Sequence, residues 1–365
     1  MIYTNYADRV KHIVAESRSK HDLSKSLDDT LGRTMPQVVN MISRKQMIHE
    51  QRAFSNKLQL SGRPLGSILK NDALTNAKLG VHPDFKHLKG TDEIEYHYIV
   101  SVFIDIQGST QLHSKYGLED TYRITNTIQS AAIHTCLALG GHVQRLQGDG
   151  VFAYFGGKSL TKKRATELAV TAASMFTYFM KTDLKDVFLE DGIENIGTRI
   201  GIDFGDDDDV LWANFGLNDV SELTTNSLHT SLAHKMQAYA IKNGIVVGQH
   251  VKDRLLIDES MYDLVKNSKG EIERRYIFEY PDRNFRYTQY RFEWLRFLKS
   301  LPFIGTDSEG KLFITDEHEQ DKAQLAKLRE TANLVTSGRA YADREGQIMP
   351  DNTGVHHEPH RFHYE

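Results

Sequence analysis

One apolar run stands out along the chain because it ends in an acid. Residues 99–104 are mostly β-branched or aliphatic, Asp105 follows them, and a Gly-Ser-Thr sequence begins at Gly108. Such a run predicts a buried strand, and the glycine with its hydroxyl neighbours predicts a turn into a helix. The free backbone N–H groups of that turn favour phosphate, and an acid at the strand end favours a divalent cation.

A second pattern predicts a β-hairpin. Gly148-Asp149-Gly150 lies between two stretches with strand character, the second of which runs to Phe155. An aspartate in such a tip is usually only a turn former. Paired with Asp105, however, it can hold two divalent cations about 3.5–4 Å apart, an arrangement that activates a hydroxyl and stabilises a leaving pyrophosphate.

The rest of the core alternates between helix and strand periodicity. Apolar spacing predicts helices from about 118 to the Gly140-Gly141 stop, over 163–180 and over 227–241. Strands are predicted at 198–202 and 244–248, and a late hairpin around 281–284. Hairpins mixed with crossover helices predict an α+β fold, in which helices cover one side of a mixed sheet.

The flanks carry weaker patterns. We predict an N-terminal helical arm and linker over 1–93, a catalytic domain over 94–296, a C-terminal extension over 297–345 and a disordered tail over 346–365. Apolar positions in the arm, Val38, Val39 and Met41 among them, are too irregular for a heptad, and glycine and proline punctuate 61–66 and 80–83. The tail histidines lack the cysteine or carboxylate partners of a zinc site; they are His356, His357, His360 and His363.

Composition narrows the class of protein. The chain has 365 residues, 39% hydrophobic and 26% charged, and its 45 basic and 49 acidic side chains give a net charge of −4. The absence of a basic excess disfavours nucleic acid as a partner. No apolar run reaches membrane-spanning length, the N-terminus lacks a signal-peptide core, and the single Cys136 precludes an internal disulfide. We therefore expect a cytoplasmic enzyme with no membrane partner.

The acidic run at 206–209 is a separate feature. Four like charges in a row usually mark a solvated loop, and we interpret the run in that way.

The two acidic motifs resemble those of class III nucleotidyl cyclases. That family's first metal strand reads F-x-D-I-x-G-[FS]-T and its hairpin reads G-D-x-x-x-A-x-F, and residues 103–110 and 148–155 match both patterns in order. The resemblance covers about 94–296. It implies the family's mixed sheet with covering helices, and a reaction that turns a nucleoside triphosphate into a 3′,5′-cyclic monophosphate and pyrophosphate.

The resemblance also implies a set of site residues. Two divalent cations, Mn²⁺ or Mg²⁺, are expected at Asp105, Asp149 and the Ile106 carbonyl, and the phosphates are expected on the turn formed by Gly108, Ser109 and Thr110. Arg199, in Thr-Arg-Ile-Gly-Ile, matches the strand arginine that meets the triphosphate. Arg283 and Arg286 both lie near the position of the family's γ-phosphate lysine.

The transition-state residues depart from the family pattern N-x-A-[SA]-[RK]-[ML]. The matching residues 231–236 keep a cation as Lys235 but carry Ser231 in place of asparagine. Because they are four residues apart, both side chains are expected on one helical face. Serine still donates one hydrogen bond, so the departure predicts a slower enzyme. It also leaves open a non-catalytic nucleotide sensor, while a polymerase-like palm is disfavoured because a basic template groove is lacking.

Base choice is expected to depend on Arg145, four residues before Asp149, where the family's adenylyl cyclases carry lysine. Arginine only donates hydrogen bonds, which favours uracil or guanine. Tyr98, seven residues before Asp105, is expected to shorten the base pocket and so to select a pyrimidine. These features resemble the bacterial pyrimidine cyclases of Pycsar anti-phage defence, and among them a uridylate cyclase.

The resemblance therefore implies conversion of UTP to cyclic UMP, a second messenger for a separate cyclic-nucleotide-binding effector. Cyclic CMP is the nearest alternative product, and cyclic AMP or GMP the next. In this family the metal aspartates come from one subunit, and the base reader and transition-state residues come from the other. One chain here holds both halves, so a head-to-tail homodimer is expected.

Overall fold

The structure, a computed structural model, describes residues 3–28, 79–190, 192–193, 196–315, 340–342 and 348–350. Contacts divide the chain into two compact units, Met1–Ser300 and Leu301–Glu365. The described part of the second unit holds the hairpins β12–β13 and β14–β15. Within the described ranges, no helix combines the length and the apolar character that crossing a bilayer requires.

The helices of the first unit are α1 Thr4–Asp28, α2 Ser109–Lys115, α3 Leu118–Ala138, α4 Lys162–Tyr178, α5 Lys185–Leu189, α6 Leu228–Tyr239, α7 Gln249–Leu255 and α8 Trp294–Ser300. Its strands are β1 Ile94–Tyr96, β2 Ile99–Gln107, β3 His142–Gln147, β4 Gly150–Phe155, β5 Gly197–Gly205, β6 Leu211–Leu217, β7 Val220–Asn226, β8 Gly244–Gly248, β9 Tyr262–Asp263, β10 Ile277–Tyr280 and β11 Phe285–Phe292. The second unit adds β12 Ile304–Thr306, β13 Leu312–Ile314, β14 Ala340–Ala342 and β15 Ile348–Pro350.

The central sheet has the strand order β10-β11-β8-β5-β2-β4-β3, and β9 pairs with β11. Its neighbouring strands are antiparallel except for β5 and β8, which are parallel. The predicted mixed sheet with covering helices is thereby confirmed. Strand β2 lies between β4 and β5, so the residue at its end is flanked by two strands.

Helices cover both faces of this sheet, so the expectation of a one-sided cover was wrong. On one face the Thr198 hydroxyl of β5 lies 3.3 Å from that of Thr177 in α4. On the other face α6 packs so closely that a Cβ at Gly201 would lie 2.1 Å from the Ala233 carbonyl oxygen. The buried side chains Leu232, Ala233 and Met236 form the inner surface of α6. The close fit is possible because Gly201 has no side chain.

A smaller sheet, β1-β6-β7, lies beside the central one. Its anchor is Trp212, which is buried against Phe85 with ring centroids 4.1 Å apart. Tyr154 of β4 packs on the same indole at 5.1 Å. This cluster fixes the β6–β7 hairpin against β4, and the hairpin tip exposes Leu217 and Val220.

Helix α1 packs against α3 and α5 within the first unit. It forms the start of the segment 1–93, for which the sequence predicted a helical arm and linker. Tyr3, just before the helix, and five residues within it are buried at helical spacing: Tyr6, Ala7, Val10, Ile13 and Val14. Tyr6 bonds His134 Nδ1 of α3 at 2.9 Å, and the Tyr3 hydroxyl lies 2.7 Å from that of Thr135. The positions around Val38, the linker 61–66 and the tail histidines lie outside the described residues.

Acidification is expected to destabilise this unit through three buried histidines. Burial lowers the pKa of His82 to about 3 and the pKa values of His134 and His142 to about 4. An unfolded histidine has a pKa of about 6.5. The unfolded chain therefore binds more protons below that pH, so the stability is complete above about pH 6.5 and falls as the pH decreases towards 4.

Thermal melts between pH 7.5 and 5 test this expectation. His134→Asn keeps an acceptor for Tyr6 but cannot be protonated, so its melting temperature should fall less steeply than that of the wild type. His12→Asn, at a position with 63% side-chain exposure, is the matched control. A melting temperature that does not change over this range would contradict the account.

Candidate active site

The site begins with a cross-strand ion pair. Asp105 of β2 lies opposite Arg199 of β5 in the strand register. Arg199 donates to Asp105 Oδ2 from Nε at 3.1 Å and also from Nη2. Both side chains are partly buried, with exposures of 26% and 31%. The guanidinium thus balances the carboxylate, and both lie on the same sheet face as α6.

The β3–β4 hairpin carries Asp149 to the end of β2. Its turn requires Gly148, with φ of +61°, and the register places Val151 opposite Ile104. A Cβ at Gly150 would lie 2.9 Å from the Ile104 carbonyl oxygen and 4.0 Å from the Asp105 Cα. Only a residue without a side chain allows this approach. The backbones of the two acidic motifs are therefore in contact.

One oxygen of the Asp149 carboxylate accepts no hydrogen bond from any described residue. Its Oδ2 is buried, and no hydrogen-bond partner for it is found among the described residues. Burial raises the pKa of the Asp149 carboxyl and the charge of Asp105 adds to the rise, while a hydrogen bond from Ser109 opposes it. A desolvated, incompletely bonded carboxylate beside a second acid is the environment that a divalent cation stabilises.

The turn after β2 completes this corner of the sheet. Gly108 precedes α2 with φ of +83° and no side-chain cap, which leaves the first N–H groups of the helix available. Ser109 and Asp149 border a cavity of about 390 Å³, whose other walls include His113, Tyr122, Thr125, Asn126, Gln129 and Gly148. Thr110 continues the same helical turn. The Ile106 side chain is buried, so its carbonyl is the group that remains for a cation.

Gln129 of α3 is a positioning residue that the sequence did not reveal. Its Nε2 donates to the Gly148 carbonyl at 3.1 Å and to the Gly150 carbonyl at 3.2 Å. These bonds hold both sides of the Asp149 turn. A single glutamine on a helix gives no sequence signal for a contact with a turn 20 residues away, so only the structure reveals it.

Ser231 and Lys235 lie one turn apart on the exposed side of α6. The Ser231 hydroxyl donates to the Ser227 carbonyl at 3.2 Å, and Lys235 Nζ lies 4.7 Å from the Phe278 ring centroid of β10. Among the contacts of the described residues, none joins either side chain to Asp105 or Asp149. Arg286, on the late hairpin, pairs with Glu279 at 3.7 Å.

Arg145 lies on β3 and forms an ion pair with Glu222 of β7. Its Nε donates to Glu222 Oε1 at 3.0 Å, and its Nη2 donates to the other oxygen. Gln144 also donates to Oε1 at 2.9 Å. The pair lines a groove of about 730 Å³ together with Asp219, Thr224 and Asn226. The groove therefore presents a hydrogen-bond donor, Arg145, beside a hydrogen-bond acceptor, Glu222, and the ion pair fixes both.

Tyr98 lies at the other end of β2 from Asp105. Seven residues of strand separate them by about 23 Å. The ring is buried against Phe204, and the hydroxyl donates to the carbonyls of Gly157, at 3.3 Å, and Leu160. The structure therefore does not bring Tyr98 together with Asp105 in one chain, and its role in base choice stays a prediction.

Comparison with known proteins decides the family. No family model matches the chain. A cytidylate cyclase of Staphylococcus aureus is 38% identical to it over 284 residues, which cover 73% of this chain and 66% of that protein. The chain belongs to the class III nucleotidyl cyclases. A cytidylate cyclase of Escherichia coli is 34% identical over 250 residues, which cover 67% of this chain and 54% of that protein.

The cyclase chain thus spans about two thirds of the length of the first relative and about half that of the second. Among solved structures, the adenylyl cyclase CyaB of P. aeruginosa has 18% sequence identity and a TM-score of 0.45, and the match covers 55% of this chain and 95% of that one. The residues at the ends of β2 and the hairpin fit the family's metals, because the orphaned Asp149 oxygen and the Asp105 carboxylate supply the oxygen ligands that Mg²⁺ and Mn²⁺ prefer.

Gly150→Ala is expected to lower the activity by about 10²-fold, because a displacement of roughly 1 Å at a reacting group has that effect. The added Cβ collides with the Ile104 carbonyl, so the hairpin must move away from Asp105. Gly117→Ala is the matched control, since nothing lies within 4 Å of its Cβ. Initial rates of pyrophosphate release measure the effect, and equal rates for the two variants would contradict it.

Proposed function

We propose that the chain is a pyrimidine nucleotide cyclase that converts CTP to 3′,5′-cyclic CMP and pyrophosphate. The observation that carries the proposal is the unpartnered Asp149 oxygen beside the Asp105–Arg199 pair. Two acids at the ends of adjacent strands, next to a turn with free N–H groups, suit a triphosphate and its cations. UTP is the second candidate, favoured by the donor-only character of Arg145.

The residues present account for the chemistry of cyclisation. Asp105, Asp149 and the Ile106 carbonyl would hold two Mg²⁺ or Mn²⁺ ions. When bound, these ions lower the pKa of the ribose 3′-hydroxyl and offset the charge of the triphosphate. The 3′-oxygen attacks the α-phosphorus, the bond from that phosphorus to the bridging oxygen breaks, and pyrophosphate leaves. The hydroxyl proton passes to solvent.

Arg199 is suited to a change of partner during this reaction. In the structure its guanidinium neutralises Asp105. With Asp105 engaged in holding a cation, the Arg199 guanidinium would be free to bind phosphate oxygens through its fork. Lys235 would meet the negative charge that develops on the α-phosphate, and Ser231 would donate to the ribose or phosphate.

The Arg145–Glu222 pair favours cytosine over uracil. A carboxylate accepts hydrogen bonds and arginine donates them, so the pair matches the cytosine 4-amino group and 2-carbonyl. Uracil lacks this amino group and offers the carboxylate only its N3–H, so it makes the weaker match. The names of the relatives, cytidylate cyclases both, support the same base. Arg145 alone favours UTP as the substrate. Arg145 and Glu222 together, with the names of the relatives, favour CTP.

A head-to-tail homodimer completes the proposal. Lys235 and Arg145 are exposed in the single chain and are not in contact with the aspartates, which is what a site shared between subunits requires. The exposed Leu217 and Val220 of the β6–β7 tip offer apolar surface for a second copy. By its resemblance to the Pycsar cyclases, the product would be an anti-phage signal for a separate cyclic-nucleotide-binding effector.

The base assignment is tested by comparing kcat/KM for CTP and UTP in the presence of Mn²⁺, with EDTA as the blank that should abolish both activities. Glu222→Gln is expected to lower the CTP-to-UTP ratio by about tenfold, the discrimination of one good base contact. Glu93→Gln, at an exposed position, is the control. A wild-type preference for UTP, or an unchanged ratio in Glu222→Gln, would contradict the role of Glu222.

A further inference from the structure

Three side chains with metal-ligating atoms converge at the first turn of α6. They are Asp209, His229 and His250, and one ligand atom of each lies within 4.8 Å of the other two. Asp203 of β5, which contacts His229, is four residues from Arg199, or about 13 Å along the strand. The cluster is therefore separate from the aspartates of the proposed cyclase site.

His229 is oriented by a buried carboxylate. Asp203 is fully buried, and its Oδ1 accepts from the Phe204 N–H at 2.9 Å and from the Tyr287 hydroxyl. Its Oδ2 lies 2.9 Å from His229 Nδ1, which must donate because the carboxylate accepts. The Nε2 of His229 then points towards Asp209, whose Oδ2 is 3.8 Å away. The His229 side chain is only 5% exposed.

His250, like His229, is oriented by a hydrogen bond at Nδ1, but its partner is a backbone carbonyl. Its Nδ1 lies 3.1 Å from the Phe204 carbonyl oxygen, an acceptor, so this nitrogen carries the proton. The backbone N–H of His250 donates to the Tyr287 hydroxyl at 3.0 Å, and this bond fixes the start of α7. The two imidazole centroids are 4.4 Å apart. Histidines that bind metals are supported in this way, by an Nδ1–H bond to a carboxylate or a carbonyl that leaves Nε2 to the ion.

Asp209 differs from the other acids of its run. Asp206 and Asp207 form ion pairs with Lys162, and Asp206 also pairs with Arg254. Asp209 is exposed at the end of the short helical turn Asp207–Asp209 and faces His229. Ligand atoms around a tetrahedral zinc ion are about 3.4 Å apart. The 3.8 Å between His229 Nε2 and Asp209 Oδ2 exceeds that spacing by about 0.4 Å, which a small movement of the exposed Asp209 side chain would remove.

We propose that Asp209, His229 and His250 form a second metal site, which takes Zn²⁺ or a similar divalent transition metal. Two neutral imidazoles and one carboxylate are a ligand set for such ions, with a fourth position left to water. The site joins the β5–β6 loop, the first turn of α6 and α7. Under the proposed function, it would fix the helix that carries Ser231 and Lys235. Under this proposal Asp209 is a metal ligand, whereas the sequence indicated a solvated loop at 206–209.

Zinc binding to the full chain tests the site. The chain is treated with a chelator and titrated with Zn²⁺ in a calorimeter, and the bound zinc is counted by mass spectrometry after dialysis. Glutamine replaces the four tail histidines and alanine replaces Asp149 in every sample, so that neither the tail nor the proposed cyclase cations contribute to the count. The variants are Asp209→Asn and His250→Asn; the matched control is Asp208→Asn.

One zinc per chain is expected in the parent and in the Asp208→Asn control, and affinity at least 10²-fold weaker in Asp209→Asn and His250→Asn. Zinc should also raise the melting temperature of the parent but not that of Asp209→Asn, whose exposed position spares the fold. If the parent binds no zinc, His229 is simply a charged partner of Asp203 and Asp209, and the proposal is wrong. Equal affinity in parent and variants would also overturn it.

Discussion

Replacing Asp149 with alanine is expected to lower cyclic nucleotide synthesis by about 10³-fold or more, which corresponds to several kcal/mol of lost charge stabilisation. Asp149 is the acid whose Oδ2 is buried without a partner, and the one whose pKa is raised by burial and by Asp105. Removing it deletes a ligand of the proposed cations. The same change removes a half-buried, partly desolvated carboxyl group from the folded chain.

The two effects have opposite signs, and this makes the prediction specific. In the absence of metal, Asp149→Ala should melt at the same temperature as the wild type or above it, because a desolvated carboxyl has been deleted. In the presence of Mn²⁺ the wild type should gain stability and the variant should gain less. Asp92→Ala, at an exposed position, is the control. A variant that keeps more than a tenth of the wild-type rate would contradict the role of Asp149.

Mixing two inactive chains is expected to restore activity if the site is shared between subunits. Asp149→Ala and Lys235→Ala each disable both sites of their own homodimer, because every site needs one aspartate pair and one lysine. A mixed dimer keeps one intact site, formed by Asp149 of one subunit and Lys235 of the other. With random pairing, half of the dimers are mixed, so the mixture should recover about a quarter of the wild-type rate.

The mixture must be allowed to exchange subunits, which co-expression ensures. A mixture of Asp149→Ala chains and Asp105→Ala chains is the matched control. Both changes fall on the same half of the site, so no dimer in this mixture regains a complete site. Recovery in this control pair, or no recovery in the first pair from verified dimers, would exclude the head-to-tail arrangement. Full wild-type activity in a verified monomer would exclude it as well.

The elements that hold the metal acids could be predicted because their signals are local. The run 99–104 contains its own strand propensity, and Gly148-Asp149-Gly150 contains its own turn. The structure has β2 and the β3–β4 hairpin at these positions. Their pairing, and with it the meeting of the two acids, could be inferred only from the resemblance to the cyclases.

Contacts between distant residues could not be predicted. Glu222 meets Arg145 across 77 residues of sequence, and Tyr287 meets Asp203 across 84. A glutamate on one strand or a histidine at a helix start gives no signal for such a partner. Helix α1 is a different case: Tyr3, Tyr6, Val10 and Ile13 recur at helical spacing, but the polar residues between them obscured the pattern.

The measurement that tests the account most directly is a competition among the four nucleotides. The purified 365-residue chain is incubated with Mn²⁺ and equal amounts of ATP, GTP, CTP and UTP, and the products are identified by mass spectrometry. Cyclic CMP is expected as the main product, and no cyclic product is expected from Asp149→Ala. Cyclic UMP as the main product would contradict the reading of Glu222, and cyclic purine nucleotides would contradict the pyrimidine assignment. No cyclic product from a folded dimer would contradict the proposed cyclase activity itself.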